Sequence, residues 1–263
     1  MTVRLRRGAL AVVLALALGG SLASCGSDDE PPAASGKSEP VVVSAAASLK
    51  KGLTSYGISF AGGKVRLSFA GSDELAAQIR QGIKPDVFAA ANTKLPDQLF
   101  KEGLVEKPVR FATNELVLAI PADDDAIVSV DDLATKKVTV AVGADGVPVG
   151  DYTRTVLERL PTAQSSAILG RIRSREPDVG GIVGKLTQGA VDAGFVYRSD
   201  VKGAGGKLKA IELPDRLKPT VEYGVAIVKG APNRRGGKAF VDGLLEGAGA
   251  QALRDHGFGP PAR

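Results

Sequence analysis

The chain has 263 residues and a formal charge of +5, from 34 Lys and Arg against 29 Asp and Glu, with 1 Cys, 1 His and no Trp. That length supports one large core or two small domains. One His and one Cys are too few ligands for a zinc or iron centre, and no basic cluster interleaved with aromatics marks a nucleic-acid surface. Three of the 34 basic residues, Arg4, Arg6 and Arg7, stand in an N-terminal segment without acids; the remaining 31 against 29 leave the rest of the chain near neutrality.

Those arginines precede an apolar run from Ala9 to Leu18 that ends in small residues, the pattern of a secretory signal over 1–24. The run is shorter than the roughly 20 residues a membrane-spanning helix needs, so a short anchor helix is the weaker reading. The signal closes at "LASCG", Leu22 to Gly26, which resembles the lipobox of bacterial lipoproteins. Lipidation of Cys25 explains a lone thiol in an exported chain without a disulfide or a metal. Residues 25–40, from Cys25 through a stretch rich in Pro, Ser and charge, are expected to form a lipidated, disordered tether at the outer face of a bacterial cytoplasmic membrane.

From Val41 onward, short β-branched runs alternate with amphipathic stretches, which argues for βα units around parallel strands. Strands are expected at Val41 to Val43, Val65 to Phe69, Val87 to Ala89, Glu115 to Ile120, Val138 to Val142, Ala193 to Tyr197 and Val221 to Val228. Helices are expected at Leu49 to Phe60, Asp73 to Gln81, Lys94 to Lys101, Tyr152 to Leu160, Gly180 to Gln188 and Lys238 to Leu253. No long solenoid repeat interrupts this alternation.

Four helix starts share a small-residue loop. Ser48, in "VVVSAAASL", and Ser72, in "SFAGSDELAAQI", stand where an N-cap belongs. Two readings stay open on these residues alone: plain caps, or helix starts whose free N–H groups and small neighbours admit an anion at one edge of a parallel sheet. The other two starts fall near Val149 in "AVGADGVPVGDY" and near Val179 in "EPDVGG", where only backbone N–H groups can donate. Both lie in the second half of the chain, which makes a cleft between two lobes the natural place for a ligand.

The blocks "SAAASL", "FAGSDELAAQI", "KPDVFAAAN", "FATNELVLAIP", "AVGADGVPVGDY", "GFVYRSD" and "VEYGVAIVKG" follow the order and spacing of the molybdate-binding proteins of ABC importers, and from Val41 to Phe258 the chain resembles that ModA family. The resemblance implies an α/β, two-lobed type II periplasmic-binding-protein fold, each lobe a mainly parallel sheet flanked by helices, with two hinge crossings. It also implies a tetrahedral oxyanion held without counter-charge by two Ser hydroxyls, backbone amides and a Tyr hydroxyl. Carried over by motif, these are Ser48, Ser72, the amides of Val149 and Val179, and Tyr197. The implied partners are a transmembrane permease and its cytoplasmic ATPase; no cofactor, no catalysis and a monomer are expected.

Two residues depart from the family pattern: Val149 is bulkier than usual, and Asp73 puts a carboxylate beside Ser72. On the first turn of a helix, Asp73 is expected to favour the dipole. Molybdate and tungstate only accept hydrogen bonds near pH 7, whereas phosphate carries a proton and needs an acceptor; sulfate also only accepts, so size alone can reject it. The crossing strands are expected in "NELVLAI" and "VEYGVAIV", which puts lobe one at 41–117 and 223–263 and lobe two at 118–222. Two ordinary core strands of a single sheet are the alternative.

Rival functions have less support. A binding protein for sulfate or phosphate stays nearest. A serine hydrolase built on Ser72 and the single His256 lacks a G-x-S-x-G elbow. Asp123-Asp124-Asp125 lacks the spacing of a calcium loop, and a chain without Trp offers a sugar few stacking platforms.

Overall fold

The computed structural model describes residues 39–262, so the signal, Cys25 and nearly all of the tether lie outside the described residues. Chain order begins with strand β1 (Val41–Ala46), helix α1 (Lys50–Ser59), β2 (Val65–Ala70), α2 (Ser72–Arg80), β3 (Val87–Ala90), α3 (Lys94–Lys101) and β4 (Val109–Asn114). It continues with β5 (Leu116–Pro121), α4 (Asp132–Thr135), β6 (Val140–Gly143), α5 (Pro148–Glu158), α6 (Thr162–Leu169), β7 (Ile172–Glu176), α7 (Val179–Thr187), β8 (Ala193–Tyr197), α8 (Arg198–Gly203) and β9 (Leu208–Ile211). The chain then returns through β10 (Val221–Ile227), α9 (Arg234–Glu246) and α10 (Ala248–Asp255).

These strands make two five-stranded sheets, ordered β2-β1-β3-β10-β4 and β7-β6-β8-β5-β9. In each, three parallel strands are followed by an antiparallel one that has crossed from, or will cross to, the other lobe. The architecture is the two-lobed one expected, with one qualification: β4 and β9 add a further antiparallel edge to each sheet. The central strands β3, β6 and β8 are buried along their whole length, as strands covered by helices on both faces must be.

The passage between sheets occurs at Glu115, the one residue between β4 and β5, so Leu116 and Val117 already pair in the second sheet rather than in lobe one. On the return, Val221 and Glu222 already pair with β4 in the first sheet, so the second crossing precedes them. The single C-terminal helix expected over Lys238 to Leu253 is two helices broken at Gly247. Helix α5 starts at Pro148, four residues before the expected Tyr152, because proline suits the first helical position, where its missing N–H costs nothing.

Candidate functional site

Every expected ligand residue lies at the carboxyl end of a parallel strand. Ser48 follows β1, Ser72 follows β2, Val149 follows β6, Val179 follows β7, and Tyr197 ends β8. Because each lobe presents this edge of its sheet to the other, all five residues line one cavity between the lobes. Its remaining walls are small or apolar, including Ala46, Ala47, Ala70, Gly71 and Ala91. The cavity is of about 10 Å³, room for about one water-sized sphere and far too little for a sugar.

The two serines are not helix caps. Ser48 sits within a 3₁₀ turn, Ala47–Leu49, and makes no capping bond; its Oγ lies 2.9 Å from the Tyr223 hydroxyl. Ser72 is the first residue of α2, with Gly71 as the cap position, and its Oγ accepts from the Ala91 N–H at 3.1 Å. An N–H can only donate, so the Ser72 hydrogen is left free for the cavity. Only 1 % of Ser72 is exposed, so water cannot readily satisfy that hydrogen in place of a ligand.

Helices α5 and α7 bring their N-termini to the same cavity. Val149 and Val179 occupy the first turn of each, where backbone N–H groups have no intrahelical acceptor and carry the positive end of the helix dipole. Val149 narrows the cavity wall without removing its own amide. Tyr197 completes the set: its Oη is buried and has no hydrogen-bond partner among the described residues. Burial pushes the Tyr197 phenol well above the ordinary tyrosine value, so it keeps its proton and stays a donor.

No Lys or Arg lines the cavity, so the arrangement offers hydrogen-bond donors and helix dipoles rather than formal positive charge. Asp73 does not line it; the carboxylate on its wall is Asp178, the N-cap of α7, which sequence reasoning left unmarked. Asp178 Oδ1 accepts from the Gly181 N–H at 3.1 Å, which commits that oxygen to the helix. The "P-D-V" spelling before an apolar helix was the available signal, since Asp is a preferred N-cap. Tyr223 and Asn114, behind Ser48, were also missed.

The residues of the hydrolase alternative are not brought into a catalytic pair. His256 Nε2 lies 2.9 Å from the Ser55 Oγ and lines a separate cavity with Lys50, Lys51 and Asp200, while Ser72 is held by Ala91. Among the described residues no group of three or more His, Cys, Asp or Glu is placed to hold a metal ion, and no helix is long and apolar enough to cross a membrane.

The chain is similar to known proteins along most of its length. Residues 33–259 match the family described as bacterial extracellular solute-binding protein. The "Molybdate-binding protein ModA" of Mycobacterium tuberculosis (strain ATCC 25618 / H37Rv) is 32% identical over 249 residues, covering 91% of this chain and 93% of that protein. Among solved structures, the Azotobacter vinelandii periplasmic molybdate-binding protein superposes with a TM-score of 0.76 at 20% identity, covering 84% of this chain and 100% of that one. The sulfate-binding protein SubI of Mycobacterium tuberculosis H37Rv superposes with a TM-score of 0.73 at 16% identity over 84% of this chain and 86% of its own, so the fold by itself does not separate the two oxyanions. With its two lobes, its cavity of donors at the strand ends and a match along nearly the whole described chain, this protein belongs to the bacterial extracellular solute-binding proteins, in the ModA family of molybdate-binding proteins.

Proposed function

We propose that this chain captures molybdate, and tungstate with it, between its two lobes and delivers the closed complex to the transmembrane permease of an ABC importer driven by a cytoplasmic ATPase. It does so as an exported monomer anchored through lipid on Cys25, and it catalyses no reaction. The observation that carries this reading is the cavity itself: buried, free of Lys and Arg, and lined by Ser48, Ser72, two helix-start amides and an unpartnered Tyr197 hydroxyl. Such a site fits a small dianion that accepts at every oxygen, and none of its serine, tyrosine or amide donors offers a protonated anion an acceptor, which leaves only the Asp178 carboxylate on the wall.

Calorimetric titration of the full chain in detergent with molybdate, tungstate, sulfate and phosphate at one ionic strength tests it. Tight binding of the first two with little response to the others is the expected result. A preference for sulfate would keep the site and overturn the ligand; a Ser72→Ala variant with unchanged molybdate affinity would overturn the site. Removing that buried donor is expected to weaken binding by about 1–3 kcal/mol.

A further inference from the structure

Ser48 poses a question of direction. A hydroxyl both donates and accepts, so a serine facing a ligand is donor or acceptor according to what its other side touches. Behind Ser48 lies a hydrogen-bonded chain that does not reach the cavity. Ser48 Oγ is 2.9 Å from the Tyr223 hydroxyl, and the Asn114 Nδ2 lies 3.4 Å from that hydroxyl and 2.8 Å from Ser199 Oγ.

The direction of this chain is argued from its far end. The Glu115 N–H donates to Asn114 Oδ1 at 2.9 Å, and a backbone N–H has no other option. That bond assigns the amide's oxygen and nitrogen, so the Nδ2 group must donate toward Tyr223. Tyr223 Oη thereby accepts from Asn114, and among the described residues Ser48 Oγ is the one other oxygen bonded to it, which leaves Ser48 as the acceptor of the phenol hydrogen. Ser48 accepts from Tyr223, and its hydrogen turns to the cavity.

Tyr223 is held for this task. It is fully buried, its ring meets Phe111, Tyr197 and Phe258 edge-on, and the β10–β4 register shifts immediately after it. Bulges of that kind re-aim a side chain next to functional sites. Burial pushes its phenol well above the ordinary tyrosine value, with the Asp200 charge adding to the effect, so the hydrogen it lends to Ser48 is never lost near neutral pH.

We propose that Tyr223 and Asn114 are positioning residues that lock the Ser48 hydroxyl as a donor and so make the cavity reject oxyanions that carry a proton. This deepens the oxyanion reading above and rests on it. Ser72 is locked in the same sense by the Ala91 N–H. Tyr197 has no other partner among the described residues, so accepting from a ligand would strand its own hydrogen. With all three hydroxyls committed to donation, the hydrogen of inorganic phosphate finds no acceptor among them, and the Asp178 carboxylate, already bonded to the Gly181 N–H, is the one side-chain acceptor left on the cavity wall. The lock also sits at the hinge, because Asn114 is the last residue before the crossing and its amide bridges Tyr223 of one sheet to Ser199 beyond the end of the other.

The test compares molybdate and inorganic phosphate on the full chain in detergent, in wild type, Tyr223→Phe and Asn114→Asp. Tyr223→Phe keeps the ring but frees Ser48 to turn and accept. Asn114→Asp keeps the oxygen that Glu115 needs and removes the donor. Each is expected to lower the molybdate-to-phosphate affinity ratio roughly five- to a hundred-fold, the span of one mismatched buried hydrogen bond. In a Ser48→Ala background, Tyr223→Phe should leave the ratio alone. Equal weakening toward both anions in the two variants marks a merely structural role and overturns the proposal, as does an unchanged ratio. A wild-type protein that binds neither anion instead overturns the oxyanion reading beneath it.

Discussion

At the scale of single residues, the cavity sets binding against stability. With the lobes closed, the buried Tyr197 hydroxyl has no partner among the described residues, an arrangement that costs about 1–3 kcal/mol unless something accepts from it. Tyr197→Phe is therefore expected to lower molybdate affinity while leaving unchanged the thermal midpoint of the ligand-free protein, whose lobes stand apart, and a variant with undiminished affinity would contradict the assignment. Asp200 provides a pH handle on the same region. Its carboxyl is pushed up to about 7, chiefly by burial and further by the Asp178 charge, against the Tyr197 N–H that donates to it at 3.0 Å. The unfolded residue titrates near 4, so between these values the folded state holds the extra proton. Its contribution to stability is full below about pH 4 and lost as pH rises through about 7. Denaturant midpoints measured from pH 4 to 8 should decline along this window, and Asp200→Asn should flatten the decline.

At the scale of elements, two helix starts supply what no side chain does. The amides of Val149 and Val179 donate only if α5 and α7 begin where they do, and α5 is pinned by a close approach of backbone to backbone. A Cβ on Gly150 would lie 2.2 Å from the Ala144 carbonyl oxygen and 2.7 Å from that of Gly143, so no side-chain rotation could relieve it. Gly150→Ala must shift the first turn of α5 and with it the Val149 amide. The expected cost is about 1–3 kcal/mol of stability from overpacking, together with weaker molybdate binding by calorimetry. A variant with native thermal midpoint and affinity would show that the α5 start is not a ligand contact.

At the scale of the whole molecule, Gly71 marks where the two lobes touch. A Cβ there would stand 2.5 Å from the Pro177 carbonyl oxygen, which belongs to the other lobe and precedes α7. The backbone of Gly71, at φ −58° and ψ 138°, is one that alanine adopts freely. Gly71→Ala should therefore hold the lobes apart once the Asp73 side chain, whose Oδ1 would stand 2.8 Å from the new Cβ in the same lobe, turns aside. In solution scattering the wild type is expected to contract when molybdate is added and the variant to stay open, with its ligand-free thermal midpoint unchanged and its affinity reduced. Contraction of both proteins alike would sink this account of closure. Lys51, which donates to the Gly203 carbonyl, and the Lys94–Asp151 pair at 3.4 Å also join the lobes, but exposed pairs of this kind contribute about 0–1 kcal/mol and do not by themselves hold a cleft shut.

Much of this protein was legible in the chain order of its residues. Central strands such as Val87–Ala90 and Ala193–Tyr197 are buried on both faces and read as apolar runs, and helix starts with small neighbours drew attention to Ser48, Ser72, Val149 and Val179, whereas Tyr197 came only from the resemblance to the ModA family. The strands that escaped, β4, β7 and β9, are all at sheet edges, where one side meets solvent and charges such as Arg173 and Arg175 break the apolar run. Local sequence by itself determined the element types, the order of the lobes and the small-residue edge that suits an anion, because those depend on periodicity and side-chain size within a few residues. Only the tertiary structure decided that Ser48 is no cap, that Asp178 rather than Asp73 stands on the cavity wall, and which partner each hydroxyl meets. Hydrogen-bond direction is set by the partner, and the partners of Ser48 and of Tyr223 lie 175 and 109 residues away along the chain, beyond the reach of any local pattern.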